Sequence, residues 1–230
     1  SRRSVRCAGV DLTAMDAVVV KKLGPADDPR TAGRIAILEE LELVGVRVFS
    51  PAAAITRAVD RVRMTLTLAA AGIRVPSTVI TGSLDDAESA VEELGAAVLK
   101  PVFTSKGRGM LLLDRRGPVR LRLRGARRPG EPFYLQRFVA TGGKDLGIAV
   151  VGDQAIGAYA RVASGSWLTT TSAGGSYEAH PLDWGLADIA TRAARAFGLD
   201  YTVVDVALTA SGPVVYEVSA FGGFRGLWEA

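Results

Sequence analysis

Two stretches of this chain leave little freedom to the fold, because in each an apolar run returns on itself across a turn of only a few residues. Lys144 to Val151 is followed by Gln154 to Val162 across Gly152-Asp153, and Thr202 to Leu208 by Val214 to Val218 across Thr209 to Gly212. Runs joined so tightly pair as antiparallel strands, since a parallel return needs a crossover of a dozen residues or more. Elsewhere helix and strand patterns alternate. Asp16 to Val20 reads as a strand, Thr31 to Val44 as a helix and Val46 to Phe49 as a strand. Pro51 to Gly72 reads as one helix, with Ile55, Val59, Val62, Leu66 and Ala69 on its inner face and Gly72 as C-cap. Val75 to Thr81 is a further strand. Ser83 then caps a helix through Leu94, with Asp85, Asp86 and Glu88 in its first turn, where negative charge suits the helix dipole. Ala96 to Val102, Met110 to Asp114 and Phe133 to Val139 read as strands and Trp184 to Phe197 as a helix. Helix–strand units beside tight hairpins predict an α+β fold rather than a doubly wound parallel sheet.

With 48% hydrophobic and 23% charged residues, the chain has the make-up of a globular protein, which excludes disorder, collagen and coiled coil. No apolar run approaches the roughly 18 residues of a membrane helix, so no membrane partner is expected. One cysteine, Cys7, and one histidine, His180, exclude an intramolecular disulfide and a zinc site of Cys/His type, and fit a reducing cytoplasm. His180 precedes Pro181 and reads as a turn residue at a helix start. The N-terminal Ser1-Arg2-Arg3 shows neither an initiator methionine nor an apolar signal core, so no targeting segment is expected.

The formal charge of +4 is local in origin. Arg115, Arg116, Arg120, Arg122, Arg124, Arg127 and Arg128 fall in one stretch without an acid, and the rest of the chain is net acidic. Val119, Leu121 and Leu123 alternate with the arginines as in an edge strand, which puts the charge on a solvated face. The alternative is a surface for RNA phosphates, and with it a non-catalytic nucleotide- or RNA-binding module. Lysines number only five (Lys21, Lys22, Lys100, Lys106 and Lys144), so each is a candidate point-charge ligand for phosphate.

Two segments carry candidate chemistry. Lys100 ends a strand and runs into Pro101-Val102-Phe103-Thr104-Ser105-Lys106-Gly107-Arg108-Gly109, a small basic loop whose glycines let backbone N–H groups approach an anion. Its spacing is not that of a P-loop, and the same residues also suit a plain hairpin turn. Asp205 and Glu217 each sit within apolar strand residues, and the hairpin sets them near each other. A carboxylate there is paired, protonated, metal-bound or turned outward to solvent. Two adjacent carboxylates attract a hard cation such as Mg²⁺, which completes its shell with substrate phosphates.

The loop from Lys100, the strand Tyr134 to Val139, the Lys144-Asp145 pair, Asp205 and the ending Tyr216-Glu217-Val218-Ser219-Ala220-Phe221-Gly222-Gly223 occur in the order found in ATP-grasp ligases. The chain resembles their RimK-type branch, the α-L-glutamate ligases. The resemblance implies an ATP-grasp fold over residues 51–230, with a nucleotide-gripping subdomain over about 75–138 and a metal-binding subdomain over about 139–230. Residues 1–50 resemble part of the small α/β domain that precedes it. It further implies that Lys100 contacts the ATP phosphates and that Thr104, Ser105, Lys106, Gly107, Arg108 and Gly109 close over them. Arg61 stands where relatives carry the lysine of an Asp-Lys pair, which implies that it supplies the second basic contact to the phosphates. Gln136, Arg137, Phe138 and Val139 form the hinge that meets adenine, Asp145 lies near the ribose, and Arg161 faces the reacting groups. Asp205, Glu217 and Ser219 are the implied metal positions for one or two Mg²⁺ ions, with Mn²⁺ as substitute.

The chain also departs from the family pattern. Ser219 replaces an asparagine, Gly147 an arginine, and Trp167-Leu168-Thr169-Thr170 an Arg-Ser-Asn run that contacts nucleotide, so Leu168, Thr169 and Thr170 are the implied nucleotide-side positions there. The implied activity is amide formation through an acylphosphate, with L-glutamate added to a small-molecule or protein carboxylate and no need of nucleic acid; a homo-oligomer is compatible with it. The Phe221 to Gly226 ending is most similar to members associated with tetrahydromethanopterin biosynthesis, which implies a pterin-type acceptor.

Overall fold

The computed structural model describes residues 4–24 and 28–230. Ser1 to Arg3, on which the reading of the N-terminus rests, lie outside them. β1 (Arg6–Cys7) and β2 (Val10–Asp11) form a short antiparallel ladder. β3 (Ala17–Val19) and β4 (Arg47–Phe49) pair in parallel through the crossover helix α1 (Arg30–Leu43), which buries Leu38 and Leu41.

α2 (Ala52–Val59) and α3 (Arg61–Ala70) take the place of the single helix expected from Pro51 to Gly72. Asp60 adopts extended backbone, and its carboxylate accepts from the N–H groups of Val62 (2.9 Å) and Arg63 (3.1 Å), capping a second helix. Such a cap contributes about 1 kcal/mol, and here it resets the helical phase. Ile55 is buried as expected, but in α3 the inward residues are Arg61, Met64, Thr65 and Leu68, while Leu66 is 60% exposed. The break carries the Arg61 guanidinium into the interior.

β5 (Thr78–Thr81), α4 (Leu84–Leu94), β6 (Ala96–Leu99), β7 (Leu111–Asp114), α5 (Val119–Ala126) and β8 (Phe133–Arg137) follow. The strands form an antiparallel sheet of order β5-β8-β6-β7, with α4 and α5 packed on it. α5 corrects the edge strand expected over the arginine run. Val119 and Leu123, one helical turn apart, are buried, and Leu121 between them is 71% exposed. Leucine and arginine are strong helix formers and Val119 is the segment's one β-branched residue, so propensity favours the period of four over the period of two. Arg120 is fixed to α4 by Asp85 and Glu88, each at 2.7 Å.

β9 (Lys144–Val151), β10 (Gln154–Val162), β11 (Ser176–His180), α6 (Trp184–Phe197), β12 (Tyr201–Thr209), β13 (Gly212–Val218) and α7 (Arg225–Glu229) complete the chain. The strands form a second antiparallel sheet of order β11-β10-β9-β12-β13. β11 has too little apolar alternation to announce itself, so His180 ends an edge strand rather than standing in a turn. The two-residue period divides this sheet cleanly. Leu146, Ile148, Val150, Ala158, Ala160, Val204 and Val206 lie buried in one core with α6, which is capped by Asp183 and ended by Gly198 at φ 69°. Their alternates, Asp145, Gly147, Tyr159, Arg161 and Asp205, occupy the opposite face. Among the described residues no helix is long and apolar enough to cross a membrane.

Candidate active site

A cavity of about 810 Å³ is lined by residues of both larger sheets, of the 104–107 loop, of the 166–171 segment and of the stretch after β3. Lys100 enters it from the end of β6. Its ammonium donates to Oε1 of Gln136 at 2.5 Å and lies 5.3 Å from the Tyr216 ring centroid. Burial, with the Arg61 guanidinium nearby, pushes its pKa down to about 7, against the opposing pull of Glu217, Asp205 and Asp145. Gln136 is itself held: its Nε2 donates to the hydroxyls of Tyr134 and Thr78, both at 3.2 Å, and Tyr134 shares a 2.6 Å hydrogen bond with Thr65. The network turns the amide oxygen toward Lys100.

Arg61 is buried, and its guanidinium donates to the carbonyls of Pro101 and Thr104, the latter at 3.0 Å. It also stands 3.5 Å from the Glu217 carboxylate. In this arrangement Arg61 braces the entry of the 104–109 loop against the carboxylate pair. Lys106 (φ 58°), Gly107 (φ 71°) and Gly109 (φ 71°) turn the loop through left-handed backbone. Thr104, Ser105, Lys106 and Gly107 line the cavity; Arg108 and Gly109 do not, and a side chain at Gly109 would run into Pro101 and the Arg128 guanidinium.

The 167–170 segment closes the cavity from the other sheet. Trp167 meets Phe138 edge-on at 6.2 Å, and Leu168 and Thr170 lie where a Cβ on Gly107 would touch them, at 3.4 and 3.6 Å. At the hinge, the N–H groups of Arg137 and Phe138 already donate to Ser77 (2.8 Å) and Ala96 (2.9 Å).

Asp205 and Glu217 are direct register partners across β12 and β13, with a bulge after Asp205. Arg161 joins Asp205 to Asp145: its Nε and Nη2 donate to the two Asp145 oxygens at 3.0 and 2.7 Å, and Nη2 also lies 3.0 Å from Asp205 Oδ2. Asp145, expected near a ribose, thus commits both oxygens to Arg161. The other oxygen of Asp205, Oδ1, is buried without a hydrogen-bond partner. Burial pushes the Asp205 carboxyl up, Arg161 opposes this, and Glu217 adds to it. An orphaned oxygen beside a second carboxylate suits a divalent cation, which supplies the missing charge. Ser219 lies two residues beyond Glu217, its N–H bound to Val203 O (3.0 Å) and its carbonyl to Thr202 Oγ1 (2.7 Å). Among the described residues no group of three or more His, Cys, Asp or Glu could hold a metal, so further ligands have to come from elsewhere. At Gly147, the position of the absent arginine, a Cβ would fall inside the Tyr159 ring, which also fills the space above Gly226.

Sequence reasoning placed Lys21 and Lys22 only among the scarce lysines, yet both line the cavity. Lys21 donates to Gly222 O at 3.1 Å and lies 4.7 and 5.6 Å from the Tyr201 and Phe224 ring centroids. Lys144 instead pairs with Glu178 at 3.0 Å, outside the cavity lining. Tyr134, Tyr177 and Tyr216 were missed, because an aromatic on a strand carries no signal that separates packing from a polar task.

Three comparisons bear on this geometry. The RimK-like ATP-grasp domain matches residues 58–228. The chain is 34% identical over 207 residues to a tetrahydromethanopterin:alpha-L-glutamate ligase of Methanosarcina acetivorans, covering 85% of this chain and spanning 64% of that protein's length. It is 32% identical over 228 residues to a probable alpha-L-glutamate ligase of Stenotrophomonas maltophilia, covering 97% of this chain and 77% of that protein. Among solved structures, the ATP-grasp ligase PsnB, complexed with a phosphomimetic variant of its minimal precursor, Mg and ADP, matches with a TM-score of 0.68 at 25% identity, over 92% of this chain and 71% of that one.

Proposed function

Because the chain belongs to the RimK-like ATP-grasp family of ligases, we propose that it joins L-glutamate through its amine to a carboxylate acceptor at the expense of ATP. The acceptor is a small molecule of pterin type, as the name of the Methanosarcina relative suggests. The observation that carries this reading is the orphaned Oδ1 of Asp205, set beside Glu217 in the cavity that Lys100 lines.

ATP-grasp ligases use ATP and Mg²⁺. Asp205, Glu217 and Ser219 would hold one or two Mg²⁺ ions, or Mn²⁺ in their place; bound there, the metal neutralises charge on the transferring phosphoryl group. Lys100 meets the phosphates, and Thr104 to Gly107 cover them with their N–H groups. Arg61 keeps that loop in place. Adenine lies at the hinge; since the N–H groups of Arg137 and Phe138 are engaged, a backbone donor toward it comes from Val139 onward. The acceptor carboxylate oxygen forms a bond to the γ-phosphorus while the bond to ADP breaks. The glutamate nitrogen then bonds to the acyl carbon, phosphate leaves, and the nitrogen loses a proton. The protein contributes charge and alignment to both steps. A cytoplasmic setting supplies the ATP.

Incubating the protein with ATP, Mg²⁺, L-glutamate and a panel of carboxylates that includes pterin-type acceptors tests the reading. ADP release together with a product heavier by one glutamyl unit is expected. Absence of ADP release with every acceptor would refute it.

A further inference from the structure

The amine substrate proposed above brings two carboxylates, neither of which reacts, into a cavity that already holds Asp145, Asp205 and Glu217. At least one of its charges needs a cation, and most cations of the lining are engaged. Lys100 is bound to Gln136, Arg161 to Asp145 and Asp205, Arg61 to loop carbonyls and Glu217, and Lys21 to the Gly222 carbonyl. Lys106 sits in the phosphate loop and Arg137 at the hinge, both on the nucleotide's side of the site. Lys22 remains. It lines the same cavity, is exposed, and has neither an ion pair nor a hydrogen bond to its side chain among the described residues.

The backbone leading to Lys22 is anchored on three sides. The Val20 N–H donates to Phe49 O at 2.8 Å, the Val20 carbonyl accepts from the Tyr201 hydroxyl, and the Lys21 ammonium is fastened over Tyr201 and Phe224 to the Gly222 turn. Two neighbouring lysines therefore have different tasks: Lys21 ties the N-terminal layer to the loop after β13, and its neighbour is left to present a charge from that tied wall. A cavity of about 810 Å³ lies toward the upper end of the range for a small-molecule site, which accommodates a second substrate beside the nucleotide.

We infer that Lys22 recognises a non-reacting carboxylate of the amine substrate and thereby selects an acidic amino acid. This rests on the ligase reading above. The contact is made in the ground state as well as during reaction, so its loss appears in KM for the amino acid rather than in kcat. A lysine suits the task because a flexible point charge can follow a small carboxylate.

The test is steady-state kinetics of the full chain, wild type, Lys22→Ala and Lys22→Arg, with L-glutamate varied at saturating ATP and acceptor, and thermal unfolding as a check on folding. For Lys22→Ala the inference expects KM for L-glutamate to rise at least tenfold, with kcat and KM for ATP within about threefold of wild type. Lys22→Arg should keep KM within about threefold, which a merely structural role for the lysine would not require. An unchanged KM for L-glutamate in Lys22→Ala, with an active wild type, overturns the assignment of Lys22 and leaves the ligase reading standing. A wild type that binds ATP yet never consumes L-glutamate overturns both.

Discussion

Asp205 and Glu217 face each other across the β12–β13 ladder, yet only one of the four carboxylate oxygens, Asp205 Oδ2, is held by Arg161, and its companion Oδ1 is buried with no partner. Burial and the neighbouring Glu217 raise the cost of ionising Asp205, which a divalent cation removes. Glu217→Gln keeps the shape and removes half of that charge. ATP turnover should fall at least a hundredfold with the melting temperature within a few degrees, measured by ADP release and thermal unfolding. A fully active Glu217→Gln enzyme would defeat the metal assignment.

Lys100 links the site to pH. Its folded pKa is lowered to about 7, chiefly by burial, whereas an exposed lysine titrates near 10.4. Between those values the unfolded chain holds more protons than the nucleotide-free fold, so this group makes the protein more stable as pH rises through the window. Bound phosphates favour the ammonium and draw its pKa back up. MgATP binding at pH 8 should therefore take up close to one proton and weaken as pH rises further. Calorimetry in buffers of different ionisation enthalpy reads the proton directly, and Lys100→Ala should abolish both the uptake and most of the affinity.

Arg161 pairs with both Asp145 and Asp205. Arg161→Ala leaves two buried carboxylates uncompensated, and breaking a buried pair in this way costs roughly 3–5 kcal/mol. Denaturant unfolding at pH 7 should show that loss. Arg161→Lys should recover only part of it, since one ammonium cannot reproduce the bidentate contact to Asp145.

Much of this was legible in the sequence, and the failures have specific causes. The β9–β10 and β12–β13 hairpins, the cap at Ser83 and the pairing of Asp205 with Glu217 follow from local rules that tertiary packing reinforces. The arginine run failed because Val119, Leu121 and Leu123 satisfy a period of two, while Val119 and Leu123 alone satisfy the helical turn that α5 uses. The helix over 51–72 failed because a capping aspartate, Asp60, resets the phase without any glycine or proline to mark it. Motif order placed Arg61 and Asp145 near the site but not the partners to which their charges are committed, the Thr104 carbonyl and Glu217 for one and Arg161 for the other. The 167–170 segment looked like lost nucleotide contacts; in the fold it packs Trp167 on Phe138 and Leu168 beside Gly107.

Gly147 tests whether the missing arginine was exchanged for an aromatic. A Cβ at this position would enter the Tyr159 ring, so Gly147→Ala should destabilise by about 1–3 kcal/mol through overpacking. Combining Gly147→Ala with Tyr159→Ala should cost less than the sum of the single changes, because the cavity left by the ring accepts the methyl group. A double-mutant cycle from denaturant unfolding measures the coupling; additive effects would mean that the two residues do not compete for one space.

Ser219 sits two residues beyond Glu217 with its backbone pinned to Val203 and Thr202, so a longer side chain cannot be absorbed by moving the main chain. A serine hydroxyl is a neutral oxygen donor on a side chain one atom shorter than that of the asparagine the family resemblance implies here, so it would meet a second ion through water or at a stretched distance. On the proposed metal reading, Asp205 and Glu217 would anchor the first ion regardless. Ser219→Asn should accordingly lower the Mg²⁺ concentration for half-maximal ATP turnover severalfold while kcat stays within about threefold. The opposite outcome is as informative. Lower activity at unchanged Mg²⁺ dependence would show that the amide collides with its surroundings instead of reaching an ion, and would assign Ser219 to packing beside the Phe221-Gly222-Gly223 turn. Titrating Mg²⁺ at fixed ATP, with free metal buffered, separates the two.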